Sequence, residues 1–146
     1  MYGALDISTS GMIAQRIRLD VVTANTANQG VVRDASGNLN PYRRRDVLLA
    51  SGGGTGGPGT TPFSRALGVR VAGIRIDQSP PTLREYNPSH PDAYTEGPYK
   101  GYVARSNVNP VMEQVNALEA TRSYEANVSS AEATKQMLTA MLRLIG

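Results

Sequence analysis

Apolar residues recur at helical spacing over two long stretches, one near each end of the chain. In the second stretch, Asn109 and Pro110 open a run to Ile145 that contains no further Pro or Gly. Asn is a favoured N-cap, and Pro fits the first helical position because no N–H is needed there. The pattern therefore predicts a C-terminal helix from residue 110 to residue 145, about 54 Å long.

This C-terminal helix carries a heptad repeat. The a and d positions are Ala117, Ala120, Tyr124, Asn127, Ala131, Thr134, Leu138, Met141 and Ile145, and the e positions are Thr121, Val128, Lys135 and Leu142. The repeat predicts a seam that packs against another helix, and this seam is small and polar in its first half and large and apolar in its second. A second apolar stripe, on another face, consists of Val111, Val115 and Leu118. A helix with apolar residues on more than one side is usually buried inside an assembly; the simpler alternative is one long helix of an ordinary bundle.

The first stretch predicts an N-terminal helix over residues 4–27. One apolar stripe consists of Ile7, Ala14, Ile17, Val21 and Ala24, and a second of Leu5, Met12 and Leu19. We expect Asn28 or Gly30 to end this helix in the left-handed conformation. Asn25 and Asn28 lie three residues apart on one face of the last turn, where their amides can bond free carbonyls or a neighbouring chain. The alternative is a helix end with no further role.

The middle of the chain is predicted to be rich in β-structure. Turn chemistry over 34–41 precedes predicted strands over 42–50, 69–77, 82–86 and 99–103, and the Pro-containing segment 87–97 is expected to be an extended loop. In the second strand the alternation slips by one residue at Gly73. This slip predicts a β-bulge at Ala72-Gly73, with Arg70 and Arg75 on the solvent face.

Two other features of the middle invite a functional interpretation. Arg43, Arg44 and Arg45 form either a patch for an acidic partner or a solvated strand end that discourages aggregation. The Gly-rich loop 51–62 lacks the Gly-Lys-Ser/Thr of a phosphate-binding loop, and no helical pattern follows it. It is therefore interpreted as a flexible connection.

The composition argues against a self-sufficient globule. Of 146 residues 40% are apolar, but they include one Phe and no Trp, so large core side chains are scarce. The net charge of +3 belongs to the middle of the chain, because the two ends are nearly neutral. We expect a chain that completes its burial against copies or neighbours, with order in the isolated monomer confined to about residues 40–105.

Catalytic and cofactor chemistry is not indicated. There is no cysteine, and the single histidine, His90, lies in the Pro-containing loop with no set of converging ligands. No catalytic triad spacing is found, and neither long helix is basic, as a nucleic-acid reader requires. No apolar run is long enough to span a bilayer, and the N-terminus does not resemble a cleaved signal peptide. The sequence thus predicts no enzyme, cofactor, metal, nucleic acid or small-molecule substrate.

The expected fold is α+β. The two terminal helices must meet to close their seams, so we predict an antiparallel coiled-coil pair capped by a small β-rich domain. The predicted boundaries are 1–30 for the N-terminal helix, 31–106 for the middle domain and 107–146 for the C-terminal helix.

Several motifs carry a resemblance to a known family. They are A-N-T-A-N-Q at 24–29, N-P-Y-R-R-R-D-V at 40–47, G-V-R-V at 68–71, Y-N-P-S-H-P-D-A at 86–93, G-Y-V-A-R-S-N-V-N-P-V-M-E at 101–113 and E-A-T-R-S-Y-E-A-N-V at 119–128. On these motifs the chain resembles the flagellar axial proteins, and within them the proximal-rod class. The last two in combination are specific to this class, whereas the first is shared more loosely with other rod and hook proteins.

The resemblance implies a structural subunit of the periplasmic drive shaft that carries torque from motor to hook. It implies export through the flagellar type III apparatus without a cleaved signal, and contacts with its own copies, other rod proteins and the basal-body junction protein. The residues predicted to make assembly and packing contacts are Ile7, Ala14, Ile17, Val21, Asn25, Asn28, Ala117, Ala120, Tyr124, Asn127, Val128, Ala131, Leu138, Met141 and Leu142. The alternative function is a soluble helical adaptor that is not exported.

Overall fold

The computed structural model describes residues 2–52 and 68–145. In chain order its elements are α1 (Tyr2–Asn28), β1 (Arg45–Ser51), β2 (Val69–Ile76), β3 (Thr82–Tyr86), β4 (Tyr102–Arg105) and α2 (Pro110–Ile145). Two long terminal helices thus enclose a middle region of short antiparallel strands, which confirms the α+β class. The Gly-rich loop lies outside the described residues, apart from Ser51 and Gly52.

The two helices pack side by side in opposite directions. The Asn25 side chain bonds Glu113, Arg18 bonds Glu119, and Gly11 faces Asn127. The paired numbers add to 137 or 138 each time, so the register is constant along the pair. In this register Tyr2 lies opposite Gln136. Residues 137–145 of α2 therefore extend beyond the described start of α1, by roughly 13 Å.

Small side chains form the contact between the helices. Ser8, Gly11 and Ala14 are buried on α1, and Ala120 is buried on α2. A Cβ added at Gly11 would lie 2.8 Å from the Asn127 amide nitrogen, closer than unstrained atoms approach. The backbone of α1 thus reaches the side chains of α2 directly, as glycine permits.

The start of α2 is as predicted. The Asn109 Oδ1 atom accepts hydrogen bonds from the backbone N–H of Val111 at 3.0 Å and of Met112 at 3.4 Å, and Pro110 is the first helical residue. This capping satisfies two backbone donors that have no partner within the helix.

Strands β1 and β2 form an antiparallel ribbon that contains the predicted bulge. Leu48 pairs with Gly73 and Leu49 pairs with Val71, so Ala72 is the extra residue and the alternation is shifted there. Arg70 and Arg75 are both exposed, as expected.

The first strand begins at Arg45, so the prediction of a start at Tyr42 is wrong. The N–H of Tyr42 donates to the Val31 carbonyl and that of Arg44 donates to the Asn107 side chain, which keeps both out of the ladder.

Strands β3 and β4 form a second antiparallel pair. The range of β3 matches the prediction, but β4 begins at Tyr102, not at residue 99. Residues 99–101 are instead a turn, because the N–H of Tyr102 donates to the Tyr99 carbonyl and Gly101 has a φ of +83°. That positive φ is readily adopted only by glycine.

Two loop predictions are wrong. Among the described residues no non-Gly residue has a positive φ, and Gly30 is not among the positive-φ glycines, so α1 does not end in a left-handed residue. Instead the Asn28 amide donates to the Ala24 carbonyl at 2.7 Å, which satisfies one C-terminal acceptor. The segment 87–97 is also not extended, because it forms two successive turns. In these turns the N–H of His90 donates to the Asn87 carbonyl, and the N–H of Ala93 donates to the His90 carbonyl.

The packing predicts a gradient of backbone protection in the isolated chain. The sequence-based expectation of order only over residues 40–105 is revised here: we expect slow amide exchange to extend from the middle domain into residues 18–28 and 110–120. These helix ends pack against each other, and α1 also packs against β1. Protection should decline toward 137–145, which has no described partner. Hydrogen–deuterium exchange with peptide-level mass spectrometry measures this; equally fast exchange in both helices over their whole length would contradict it.

Candidate assembly interface and its buried polar joint

Asn25 is a fully buried polar side chain near the end of α1, with an exposed fraction of 0%. Its amide nitrogen donates to the Glu113 carboxylate at 2.9 Å and to the Arg45 carbonyl at 2.8 Å. Its oxygen accepts from the Arg45 N–H at 2.9 Å and from the Tyr42 hydroxyl at 3.1 Å. Two donors and two acceptors are the full capacity of an amide side chain. Asn25 is therefore completely satisfied by residues of β1, α2 and the segment before β1.

Glu113, in the first turn of α2, is also 0% exposed. Its Oε1 atom accepts from the Arg44 guanidinium at 2.8 Å, and its Oε2 atom accepts from Asn25. A carboxylate in the first helical turn is favoured by the helix dipole. The hydrogen bond that Arg44 donates to Glu113 in turn raises the pKa of Arg44 above its ordinary value. Arg44 thus neutralises a charge that would otherwise be costly to bury.

We call Asn25, Arg44 and Glu113 the polar joint. They come from the end of α1, the entry to β1 and the start of α2, and each bonds to at least one of the other two. Hydrogen bonds to charged groups are directional, and burial strengthens them. The joint therefore fixes the position of the middle domain relative to both helices.

The three asparagines among the predicted packing residues, Asn25, Asn28 and Asn127, behave differently. Only Asn25 reaches other elements. The Asn28 amide bonds within α1, and the Asn127 amide donates to the Ser123 carbonyl of its own helix at 2.8 Å while lying over Gly11. Asn127 thus fills the space opposite Gly11 in the contact between the helices, whereas Asn25 makes hydrogen bonds to other elements.

The other predicted packing residues fall into three groups. Ala14, Val21 and Ala120 are buried; Ile7, Ile17, Ala117, Val128, Ala131 and Leu138 are half-buried; and Tyr124, Met141 and Leu142 are exposed. Within the overlap of the two helices, Ala120 and Asn127 of the seam face α1, but Tyr124 is exposed. Beyond the overlap, Met141 and Leu142 in the large apolar half of the seam are exposed to solvent, and Leu138 is half-buried.

Sequence reasoning missed the charged members of the joint and the smallest contact residues. Glu113 was visible as an acidic residue in the first turn of a helix, but nothing local marks it as buried. Ser8 and Gly11 were passed over because they are not apolar. Their spacing with Ala14, three residues at each step, was the available signal.

The arginine triplet does not act as one patch. Arg43 bonds the Gln78 side chain, Arg44 enters the joint, and Arg45 lies 5.5 Å from the centre of the Tyr42 ring. The three cations point to three different partners within the chain. Neither of the two predicted interpretations describes all of them.

Other kinds of site find no support in residues 2–52 and 68–145. No group of three metal-ligating side chains comes together in this part of the chain. Neither of its helices has the length and hydropathy to cross a membrane. A cavity of about 180 Å³ lies between the middle segments, lined among others by Tyr42, Ser79, Tyr94 and Asn107, without a nucleophile paired to a base.

Comparison with known proteins gives matches at both ends and along the whole chain. Residues 5–32 match the family model "Flagella basal body rod protein", and residues 99–144 match "Flagellar basal body rod FlgEFG protein C-terminal". The flagellar basal-body rod protein FlgC of Bacillus subtilis is 39% identical, with 98% of this chain and 97% of the relative covered. Those of Borreliella burgdorferi and Escherichia coli O6:H1 are 36% and 37% identical, with 99% of this chain and 97% of each relative covered.

The joint predicts unequal effects for two glutamates on the same helix. Glu113→Ala should lower the free energy of unfolding by about 2–4 kcal/mol, because it removes an acceptor from one Asn25 N–H and from the Arg44 guanidinium at a buried site. Glu119→Ala is the matched control: it removes the ion pair of Glu119, 61% exposed, with Arg18, and should cost less than about 1 kcal/mol. Urea denaturation followed by circular dichroism measures both, and equal losses would count against the joint.

The close approach at Gly11 predicts coupling with Asn127. Gly11→Ala should gain helix propensity of about 1 kcal/mol only when Asn127→Ala has removed the opposing side chain. In the native background the added Cβ meets Asn127, so a double-mutant cycle should show coupling of about 1 kcal/mol or more. Gly30→Ala is the control, because nothing lies within 4 Å of its added Cβ. Additive effects at Gly11 and Asn127 would refute the contact.

Proposed function

The chain belongs to the flagellar basal-body rod protein FlgC family, and from that membership we propose that it is a subunit of the proximal rod, the periplasmic drive shaft between motor and hook. The observation that carries the proposal is similarity over nearly the full length of three rod proteins, at 36–39% identity. These relatives are named flagellar basal-body rod proteins, which supports a structural role for this chain.

The architecture suits a load-bearing subunit. The long helices, of 27 and 36 residues, are stiff elements, and their close packing through small residues leaves little room for sliding. We propose that the pair joins helices of neighbouring subunits in a coiled-coil inner layer, while the middle domain faces outward. In that arrangement torque passes between the two layers through the polar joint, because the joint links the helix ends to β1.

The open half of the seam supports assembly. Met141 and Leu142 are large apolar side chains that remain exposed on α2, where burial would stabilise a complex by roughly 1.5–3 kcal/mol per side chain. The partners proposed are further copies, other rod proteins and the junction protein on the membrane side. The proposed route to the periplasm is the flagellar type III apparatus, without removal of a signal peptide.

Charged substitutions in the seam test the proposal. Leu138→Asp or Tyr124→Asp should abolish incorporation into basal bodies and motility, because a carboxylate would be buried without a partner in the assembled rod. The purified variants should keep the circular dichroism of the middle domain. Ala133→Asp, at an exposed position away from the seam, is the control and should leave swimming intact.

The measurement is fractionation and immunoblotting of isolated basal bodies together with swimming speed. Normal swimming with either seam variant would contradict the assembly role. Recovery of the native protein only from the cytosol of motile cells would instead favour the non-exported adaptor.

A further inference from the structure

A groove of about 290 Å³ lies between the segment that follows α1, the segment before β1 and the end of β2. We call it the arginine groove. Three arginines, one carboxylate and two large apolar side chains contribute to its lining: Arg33, Arg43, Arg45, Asp34, Val31 and Ile76. Its volume is near the lower end of the range for ligand sites, so it suits a short peptide segment and not a large organic cofactor.

Arg45 is held in this groove by a residue of the polar joint. Its N–H donates to the Asn25 oxygen at 2.9 Å, and its carbonyl accepts from the Asn25 amide nitrogen at 2.8 Å. Its guanidinium lies 5.5 Å from the centre of the Tyr42 ring, and the Tyr42 hydroxyl donates to the same Asn25 oxygen. One buried amide thus fixes both the backbone of Arg45 and the ring beside its cation. A guanidinium placed over a ring keeps its N–H groups available to an acceptor.

The arginines next to β1 carry charge that the described residues do not neutralise. Arg43 and Arg45 are both exposed, and neither forms an ion pair with a carboxylate in residues 2–52 and 68–145. The Arg43 guanidinium donates to the neutral Gln78 side chain at 2.9 Å. The groove therefore presents two cations to an incoming anion.

Arg33 differs because it is already paired. It donates to the Asp92 carboxylate at 2.7 Å, to the Pro91 carbonyl at 2.5 Å and to the Gly37 carbonyl at 2.7 Å. These bonds fix one wall of the groove to the loop that contains Asp92. The Asp34 carboxylate accepts two backbone N–H groups of its own turn at 2.9 Å. The uncompensated charge of the groove therefore belongs to the two arginines next to β1.

Apolar side chains lie beside these cations. Val31 is 42% exposed and Ile76 is 47% exposed, so both would gain stability from being covered. A polypeptide can bring a carboxylate and an apolar side chain to the groove together. A polymer of phosphate offers no apolar group, and Asp34 would repel its dense charge.

We propose that the arginine groove binds a short acidic peptide segment of a partner protein, with a carboxylate on the Arg45 guanidinium and an apolar side chain against Val31 and Ile76. Arginine recognises a carboxylate through two parallel N–H donors, and such charge-assisted bonds are about twice as strong as neutral ones. The proposal goes beyond the rod function and does not depend on it.

Peptide selection on the purified full-length chain tests the proposal. A display library of random peptides is selected on the immobilised chain, and enriched peptides are then labelled for fluorescence anisotropy titrations. We expect these peptides to carry Asp or Glu next to Leu, Ile or Val, and their affinity to fall as salt screens the charges. Replacement of their acidic residues by Asn or Gln should weaken binding about ten-fold or more.

A matched pair of arginine variants locates the binding. Arg45→Gln should weaken binding of an enriched peptide about ten-fold or more, because the guanidinium is lost while the backbone bonds to Asn25 remain. Arg70→Gln is the control: Arg70 is exposed on β2, outside the groove, and its substitution removes the same charge. It should change the affinity less than about two-fold, because the distant charge is screened.

A second pair tests the apolar wall and does not depend on how Arg45→Gln folds. Ile76→Ser should weaken binding, whereas Ile74→Ser should not, because Ile74 is similarly exposed on the same strand but lies outside the groove. Equal losses within either pair would overturn the proposal, since they would indicate attraction to the surface at large. Selection of no acidic peptide, or binding of polyphosphate in preference to the enriched peptides, would overturn it as well.

Discussion

The arrangement of the rest of this structure depends on one buried carboxylate, that of Glu113. Glu113 loses all contact with water, and an unpaired charge in that position would not be tolerated. Its partners come from elements that are far apart in sequence: Asn25 ends α1, and Arg44 precedes β1. The three elements must therefore pack together, and few arrangements satisfy all the hydrogen-bond donors and acceptors at once. The polar joint makes the helical pair and the middle domain a single folding unit at that end.

The rest of the helical contact depends on shape. The buried apolar residues of the described chain are small, Ala and Val, so hydrophobic burial within the molecule is limited. Close approach takes its place: Gly11 admits the Asn127 side chain, and Ala14 and Ala120 let the backbones come near. Contacts of this kind specify register strongly, because a shift by one turn would bring larger side chains into the same space.

Sequence reasoning recovered the elements that depend on local chemistry. The cap at Asn109, the bulge beside Gly73 and the range of β3 are each determined by nearby residues, and each matches the structure. The failures depend on distant partners. The start of β1 is set by bonds from Tyr42 and Arg44 to residues outside the ribbon, and the burial of Glu113 depends on two elements that a linear pattern cannot bring together. The joint was thus not predicted, although Asn25 was among the residues expected to make packing contacts.

The exposed apolar side chains of α2 and the polar joint at its first turn have different effects. Apolar stripes attract without direction, so on their own they would allow neighbouring molecules to slide or rotate by a turn. The polar joint removes that freedom within each molecule, because it anchors the first turn of α2 to β1 and to the end of α1 through bonds of fixed geometry. A rigid helix then holds its exposed apolar side chains, which include Val115 and Leu142, at constant positions relative to β1 and to the end of α1. In an assembly of the proposed kind, the regularity of the contacts would therefore depend on the hydrogen bonds of Glu113.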